Sequence, residues 1–137
     1  MANEVVARYA DGRTLKGTSL DVDPNRSKFH VRTADGVMTP VLLSEIKALF
    51  FVKSAEGNPS HVEGRVIAPV DPRLRGARLV EVTFLDGEKV VGLTSGTAKN
   101  KTYFFLVPVD VKSNNLRILV NADQIASMLP LAPPADE

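Results

Sequence analysis

Short runs of alternating apolar and polar residues, separated by Gly, Pro, Asn and Asp, make up most of this chain. Alternation puts apolar side chains on one face of a half-buried strand, and turn residues at the ends mark reversals. Glu4 to Ala10, rich in Val and carrying Tyr9, is predicted as a strand. Asp11-Gly12 follows as a two-residue hairpin signal, because Gly accepts the positive φ of a type I′ turn. The return strand runs from Thr14 to about Val22 with Gly17 inside it, which predicts a bulge or a sharp bend. Asp23-Pro24-Asn25 is a loop, and Lys28 to Arg32 alternates again. Asp35-Gly36 turns the chain into Val37–Leu43, and Ser44-Glu45-Ile46 reads as one short 3₁₀ turn. Ala48-Leu49-Phe50-Phe51-Val52 is continuously apolar between Lys47 and Lys53, the pattern of a strand buried on both faces.

From Ser54 to Ala77 the pattern lapses, with Gly57, Pro59, Gly64, Pro69, Pro72 and Gly76. Only residues 63–68 have strand character there, and the segment reads as a connector. Alternation resumes at Leu79–Phe84, where Val80, Val82 and Phe84 share a face. Asp86-Gly87 is the next hairpin, with Gly92 in the return strand. Tyr103–Val107, Leu116–Val120 and Ile125–Leu129 are strands, with a loop at 95–100 and a short turn at Ala122-Asp123-Gln124.

The order of these elements occurs twice. Tyr9-Ala10-Asp11-Gly12-Arg13-Thr14-Leu15-Lys16-Gly17 matches Phe84-Leu85-Asp86-Gly87-Glu88-Lys89-Val90-Val91-Gly92. Lys28-Phe29-His30-Val31 matches Tyr103-Phe104-Phe105-Leu106. After an insertion at the Lys112–Asn115 tip, Val41–Ile46 matches Val120–Ile125. An internal repeat governs the fold reading. The expected class is all-β, with two tandem five-stranded small barrels of the SH3 or Sm kind packed together. Closure removes exposed edges, and units this small need shared apolar surface. The expected organisation is a first barrel over 1–53, a connector over 54–78, a second barrel over 79–130 and a disordered Pro-rich tail over 131–137.

Composition changes this picture little. A net charge of +1, with both signs spread through the chain, argues against a strongly electrostatic nucleic-acid or membrane binder. The absence of Cys removes disulfides and thiolate metal sites, and His30 and His61 are too few for a His-rich zinc site. No cofactor and no metal are expected. Without a signal-like N-terminus or a run of roughly 20 apolar residues, a cytoplasmic location is the expectation.

Two resemblances follow from these motifs. Val80–Leu129, and less closely Val5–Val52, is similar in pattern to the Sm-like barrel of the bacterial RNA chaperone Hfq. The Lys-His pair with which that family contacts RNA is replaced here by Asn121-Ala122 and Leu42-Leu43. Phe50-Phe51-Val52-Lys53, Gly57-Asn58-Pro59, Asp86-Gly87-Glu88, Phe104-Phe105 and Ser113-Asn114-Asn115 resemble the motifs of an uncharacterised bacterial domain family found in signalling-type architectures. That resemblance spans nearly the whole chain and implies no activity. The cyclic di-GMP receptor domain PilZ is not matched, because Arg73, Arg75 and Arg78 have the wrong spacing for its arginine switch.

The candidate chemistry is sparse. Asp11 and Asp86 sit in hairpin signals, where turn formation outweighs catalysis. His30 could act as a base, but no nucleophile or orienting carboxylate stands at a recognisable spacing. Arg73, Arg75 and Arg78, with Lys101, form the one cationic cluster and are the expected anion contact. Ser113, Asn114, Asn115 and Arg117, at the inserted tip, are the expected partner contact, since function concentrates on loops. No catalytic residue is assigned. The expectation is a non-enzymatic protein-interaction or regulatory module in bacterial signalling, binding another protein or itself. The alternative is an Sm-like nucleic-acid binder that uses the weak basic patch.

Overall fold

The computed structural model describes residues 3–54, 64, 77–94, 102–110 and 112–131. Ten strands account for most of them: β1 (Asn3–Tyr9), β2 (Thr14–Ser19), β3 (Lys28–Arg32), β4 (Met38–Leu42), β5 (Ile46–Val52), β6 (Arg78–Phe84), β7 (Lys89–Thr94), β8 (Tyr103–Pro108), β9 (Asn115–Asn121) and β10 (Ile125–Pro130). Single 3₁₀ turns, Leu43–Glu45 and Ala122–Gln124, link β4 to β5 and β9 to β10. Among the described residues no helix is long and apolar enough to cross a membrane. The expected strand at 63–68, apart from Gly64, the loop at 95–100 and the tail beyond Leu131 lie outside the described residues.

The protein is all-β, and its strands form one antiparallel sheet in the order β10-β6-β7-β8-β9-β5-β1-β2-β3-β4. The sheet divides into two halves of five strands each. Their internal orders, β5-β1-β2-β3-β4 and β10-β6-β7-β8-β9, correspond strand for strand. They join where β5 pairs with β9, Leu49 opposite Leu119 and Phe51 opposite Arg117. The counterparts of those two strands, β10 and β4, are the edges of the sheet among the described residues.

The apolar run in β5 explains the join. All seven of its residues are buried, because each face looks into a different core. Leu49 and Phe51 pack with Val5, Phe29, Val31, Val41 and Leu119. Ala48, Phe50 and Val52 pack with Val82, Phe84, Phe104, Leu106 and Val120. Burying a Phe or Leu side chain stabilises by roughly 1.5–3 kcal/mol, so β5 contributes to both halves at once.

The Asp-Gly hairpins have a different geometry from the one the sequence suggests. The Tyr9 N–H bonds the Arg13 carbonyl at 2.8 Å and the Gly12 N–H bonds the Tyr9 carbonyl at 3.0 Å, which encloses three loop residues rather than two. The second copy repeats this at Phe84, Gly87 and Glu88, and a third instance joins β3 to β4 at Thr33, Gly36 and Val37. Among the described residues positive φ is confined to Gly12, Gly36 and Gly87, whereas a type I′ turn would also need it at the aspartates. The arrangement is a type I turn closed by a left-handed glycine. Each aspartate instead caps its own turn, as Asp86 does for the Glu88 N–H at 3.0 Å.

Gly17 and Gly92 mark close strand crossings. A Cβ on Gly17 would lie 2.2 Å from the Arg32 carbonyl oxygen, and one on Gly92 2.7 Å from Leu106 Cγ. β2 ends at Ser19, short of the expected Val22. The reason is local: the Asp21 carboxylate accepts from Ser19 Oγ at 3.2 Å and from the His30 N–H at 2.9 Å, which draws the chain out of the ladder.

Candidate interaction surface

The seam between the halves is sealed by one buried cation. Lys47, at the start of β5, is 7% exposed, and its Nζ donates to Asp86 Oδ2 at 2.8 Å and to Glu88 Oε1. The ammonium also lies 4.6 Å from the centre of the Phe84 ring. Arg8 completes the cluster, 3.6 Å from Glu88 and stacked 4.8 Å over Phe50. The bond from Lys47, aided by the Glu88 N–H, holds the Asp86 carboxyl below its ordinary pKa. Next to this cluster the buried Asn121 amide donates to the Ile46 carbonyl at 2.9 Å and the Leu43 carbonyl at 3.4 Å, while its oxygen accepts from the Asp123 N–H. Segment 43–49 therefore rests on a seat in the second half, made of Phe84, Glu88, Leu119 and Asn121.

Among the described residues, the matching positions of the first half carry no strand. By the sequence match these are Tyr9, Arg13, Pro40 and Leu42, and with Lys28, Thr39 and Glu45 they line a groove of about 510 Å³ along β4. Beside it, Met38 and Leu42 are 58% and 41% exposed. The Leu43 N–H bonds Ser27 and the Thr33 N–H bonds Val37, so by alternation Thr39 and Val41 turn their amides to β3. Met38, Pro40 and Leu42 therefore face the open side, and Pro40 has no N–H to offer.

The chemistry of the groove differs from that of the filled seat. Arg13 lies 2.7 Å from Asp11 and stacks 4.6 Å over Tyr9, filling within its own hairpin the role that Lys47 fills across the seam. Backbone and side-chain bonds from Arg13 hold the Asp11 carboxyl below its ordinary pKa. Burial, with Glu45 and Asp11 nearby, raises the Tyr9 phenol. Arg13 and Lys28 against Glu45 give the groove lining a net charge of +1. The counterpart positions, holding Glu88 as their one charged residue, carry −1.

Of the expected partner contacts, Ser113 is 1% exposed. The Asn114 side chain bonds both backbone groups of Ser54, accepting at 3.2 Å and donating at 3.0 Å. The Arg117 guanidinium covers Phe51 at 4.3 Å and Phe105 at 4.6 Å. Asn115 begins β9 and is half-buried. The inserted tip therefore fastens β9 to the end of β5. Of the expected anion contacts, Arg78 is exposed at the start of β6, whereas Arg73, Arg75 and Lys101 lie outside the described residues.

His30 has a carboxylate partner that its spacing concealed. Asp21, nine residues upstream, meets His30 Nδ1 at 2.7 Å. Burial raises the Asp21 pKa, and the bonds from His30 and Ser19 outweigh it, leaving the group below its ordinary value. Ser19 bonds the carboxylate rather than the imidazole, so the three do not form a nucleophile relay. Among the described residues no group of three or more His, Cys, Asp or Glu could hold a metal ion.

Sequence reasoning reached Asp11, Asp86 and His30 but missed Lys47 and the groove. The available signal was a mismatch between the copies, Arg13 against Glu88 and Lys28 against Tyr103, at positions the fold places around one seat. No curated protein and no solved structure matches the chain. A family model does, over residues 1–132: the chain belongs to a family of unknown function, DUF6982.

Proposed function

We propose that this protein is a non-enzymatic protein-interaction module whose contact surface is the open end of its first half, edge strand β4 and the groove beside Tyr9, Pro40 and Leu42. One observation carries the reading. The equivalent seat in the second half is filled by β5 with Lys47, while its counterpart pairs with no strand among the described residues and exposes apolar Met38 and Leu42. Exposed apolar side chains on an open edge favour association with other chains. A regulatory role in bacterial signalling rests on the family resemblance alone.

The test is affinity capture from host lysate, followed by binding of the purified partner to the wild type and to Leu42→Arg, whose exposed position leaves the cores intact. Binding that falls at least tenfold in the variant supports the reading. Recovery of no partner, or a partner indifferent to Leu42→Arg, counts against it. So does tight binding of labelled RNA that weakens steeply with salt, which belongs to a phosphate-contacting protein.

A further inference from the structure

We infer that the groove takes an extended segment of a partner protein, aligned antiparallel to β4, with a carboxylate where β5 carries Lys47. This rests on the reading of that end as an interaction surface and adds the class of ligand. The argument is the molecule's own: β9 and β4 are counterparts, and β9 is paired antiparallel with β5. Main-chain bonding to an open edge supplies affinity, and side-chain seats supply selectivity.

The register carries over. Leu49 opposite Leu119 and Phe51 opposite Arg117 become ligand positions opposite Pro40 and Met38. The ligand's amide can still reach the Pro40 carbonyl, while Met38 and Leu42 offer both of their groups. One bond of the ladder is lost, at the missing Pro40 N–H. The lining charge sets the selectivity. In the second half a lining of −1 receives a lysine; in the first, Arg13 and Lys28 against Glu45 leave +1. Arg13 already covers Tyr9 and Asp11, so an incoming lysine would find ring and carboxylate taken. Among the described residues Lys28 makes no ion pair, and it stands ready for a carboxylate.

A second copy of this chain is a poorer occupant. Neither of its two edge strands brings a carboxylate: β4 (Met38–Leu42) holds none and shares the positive lining, and β10 (Ile125–Pro130) holds Ala126 at the counterpart of Lys47. The Leu131 N–H bonds Leu79, so by alternation Pro130 faces the open side of β10, again without an N–H. Pairing β10 of one molecule with β4 of another would lose a bond at each proline.

The experiment uses two synthetic peptides, residues 43–53 of this chain and the same peptide carrying Lys47→Glu, titrated into the full-length protein by NMR. The expected result is shift changes confined to Val37–Leu42, Tyr9, Arg13 and Lys28, with the Glu peptide bound about threefold more tightly, the scale of one exposed charge pair. Arg13→Glu, which recreates the Asp-x-Glu hairpin of the second half, should invert that preference. Pro40→Ala, which restores an outward N–H, should tighten both. Equal affinities in wild type and Arg13→Glu overturn the inference, as do shifts away from β4 or no binding even to Pro40→Ala. If those failures accompany a native partner that still depends on Leu42, strand addition is wrong and the interaction reading stands. If the partner ignores Leu42 as well, both fall.

Discussion

Lys47 and Asp86, thirty-nine residues apart, meet at 2.8 Å across the seam between the two halves, with the ammonium buried and the carboxylate 57% exposed on its outer side. The asymmetry sets the cost of breaking the pair. Losing the lysine leaves carboxylates that water can still reach, whereas losing the acids leaves a cation sealed beneath Phe84. Stranding a buried charge costs about 3–5 kcal/mol, and removing both sides together can be nearly neutral. Asp86→Asn with Glu88→Gln should therefore destabilise by about 3 kcal/mol. Lys47→Met alone should cost clearly less, and adding Lys47→Met to the double variant should recover stability. Urea midpoints of the four proteins check the order.

The same pair gives stability a pH dependence with a definite sign. The Asp86 pKa is lowered in the folded state, chiefly by the bond from Lys47 and then by the Glu88 N–H, from an ordinary value of 3.8. A depressed carboxyl contributes stability that is fully present above the unfolded pKa and is lost as pH falls through the folded one. The Tm gap between wild type and Asp86→Asn should hold steady from pH 7 to about 5 and narrow below about pH 4. A gap that widens on acidification contradicts the assignment.

The two close crossings differ in how hard a methyl group would strike backbone. At Gly17 it would lie 2.2 Å from the Arg32 carbonyl oxygen, whereas at Gly92 the backbone oxygen of Val107 is 2.8 Å away, with Leu106 Cγ at 2.7 Å. The deeper backbone overlap demands the larger shift, and overpacking costs typically 1–3 kcal/mol. Gly17→Ala is expected to lower stability by about 3 kcal/mol, more than Gly92→Ala, as judged by denaturant midpoints.

Asn121 sits where the first copy has Leu42. Its buried amide donates to the Ile46 carbonyl at the start of β5 and adds to the Leu43 carbonyl, which also accepts from the Ile46 N–H, so Asn121→Leu removes the side-chain donor to Ile46 in a dry place. The expected loss is about 1–3 kcal/mol. Faster amide exchange at Ile46 and Lys47 than at Val5 and Ala7 would place the damage at the seam.

Much of the fold was legible because short-range patterns dictate it. Alternation gave the strands, Asp-Gly gave the hairpins, and the unbroken run Ala48–Val52 announced a strand buried on both faces. Phe50 and Phe51, being adjacent, had to point opposite ways, and each enters a different core. What escaped was long-range. Nothing local in Lys47 says that its partner is Asp86, or in His30 that its carboxylate is Asp21, since those contacts exist only once distant strands are paired. The contacts of the inserted tip escaped for the same reason. An enlarged polar loop resembles a surface feature, yet Asn114 and Arg117 spend their polar and cationic groups on Ser54, Phe51 and Phe105. The groove was hidden by the likeness of the copies, which draws the eye to shared positions and away from Arg13 and Lys28.

Strand β5 belongs by sequence to the first copy and by packing to both. A cut in the connector would separate two stretches of chain without yielding two folding units. The first fragment would keep β5 with Ala48, Phe50 and Val52 stripped of their cover. The second would lose the strand against which Ile118, Val120 and Lys47's two acidic partners are arranged. Either fragment alone is a poor reagent for binding work, whereas mixing the two should restore the parent sheet by complementation.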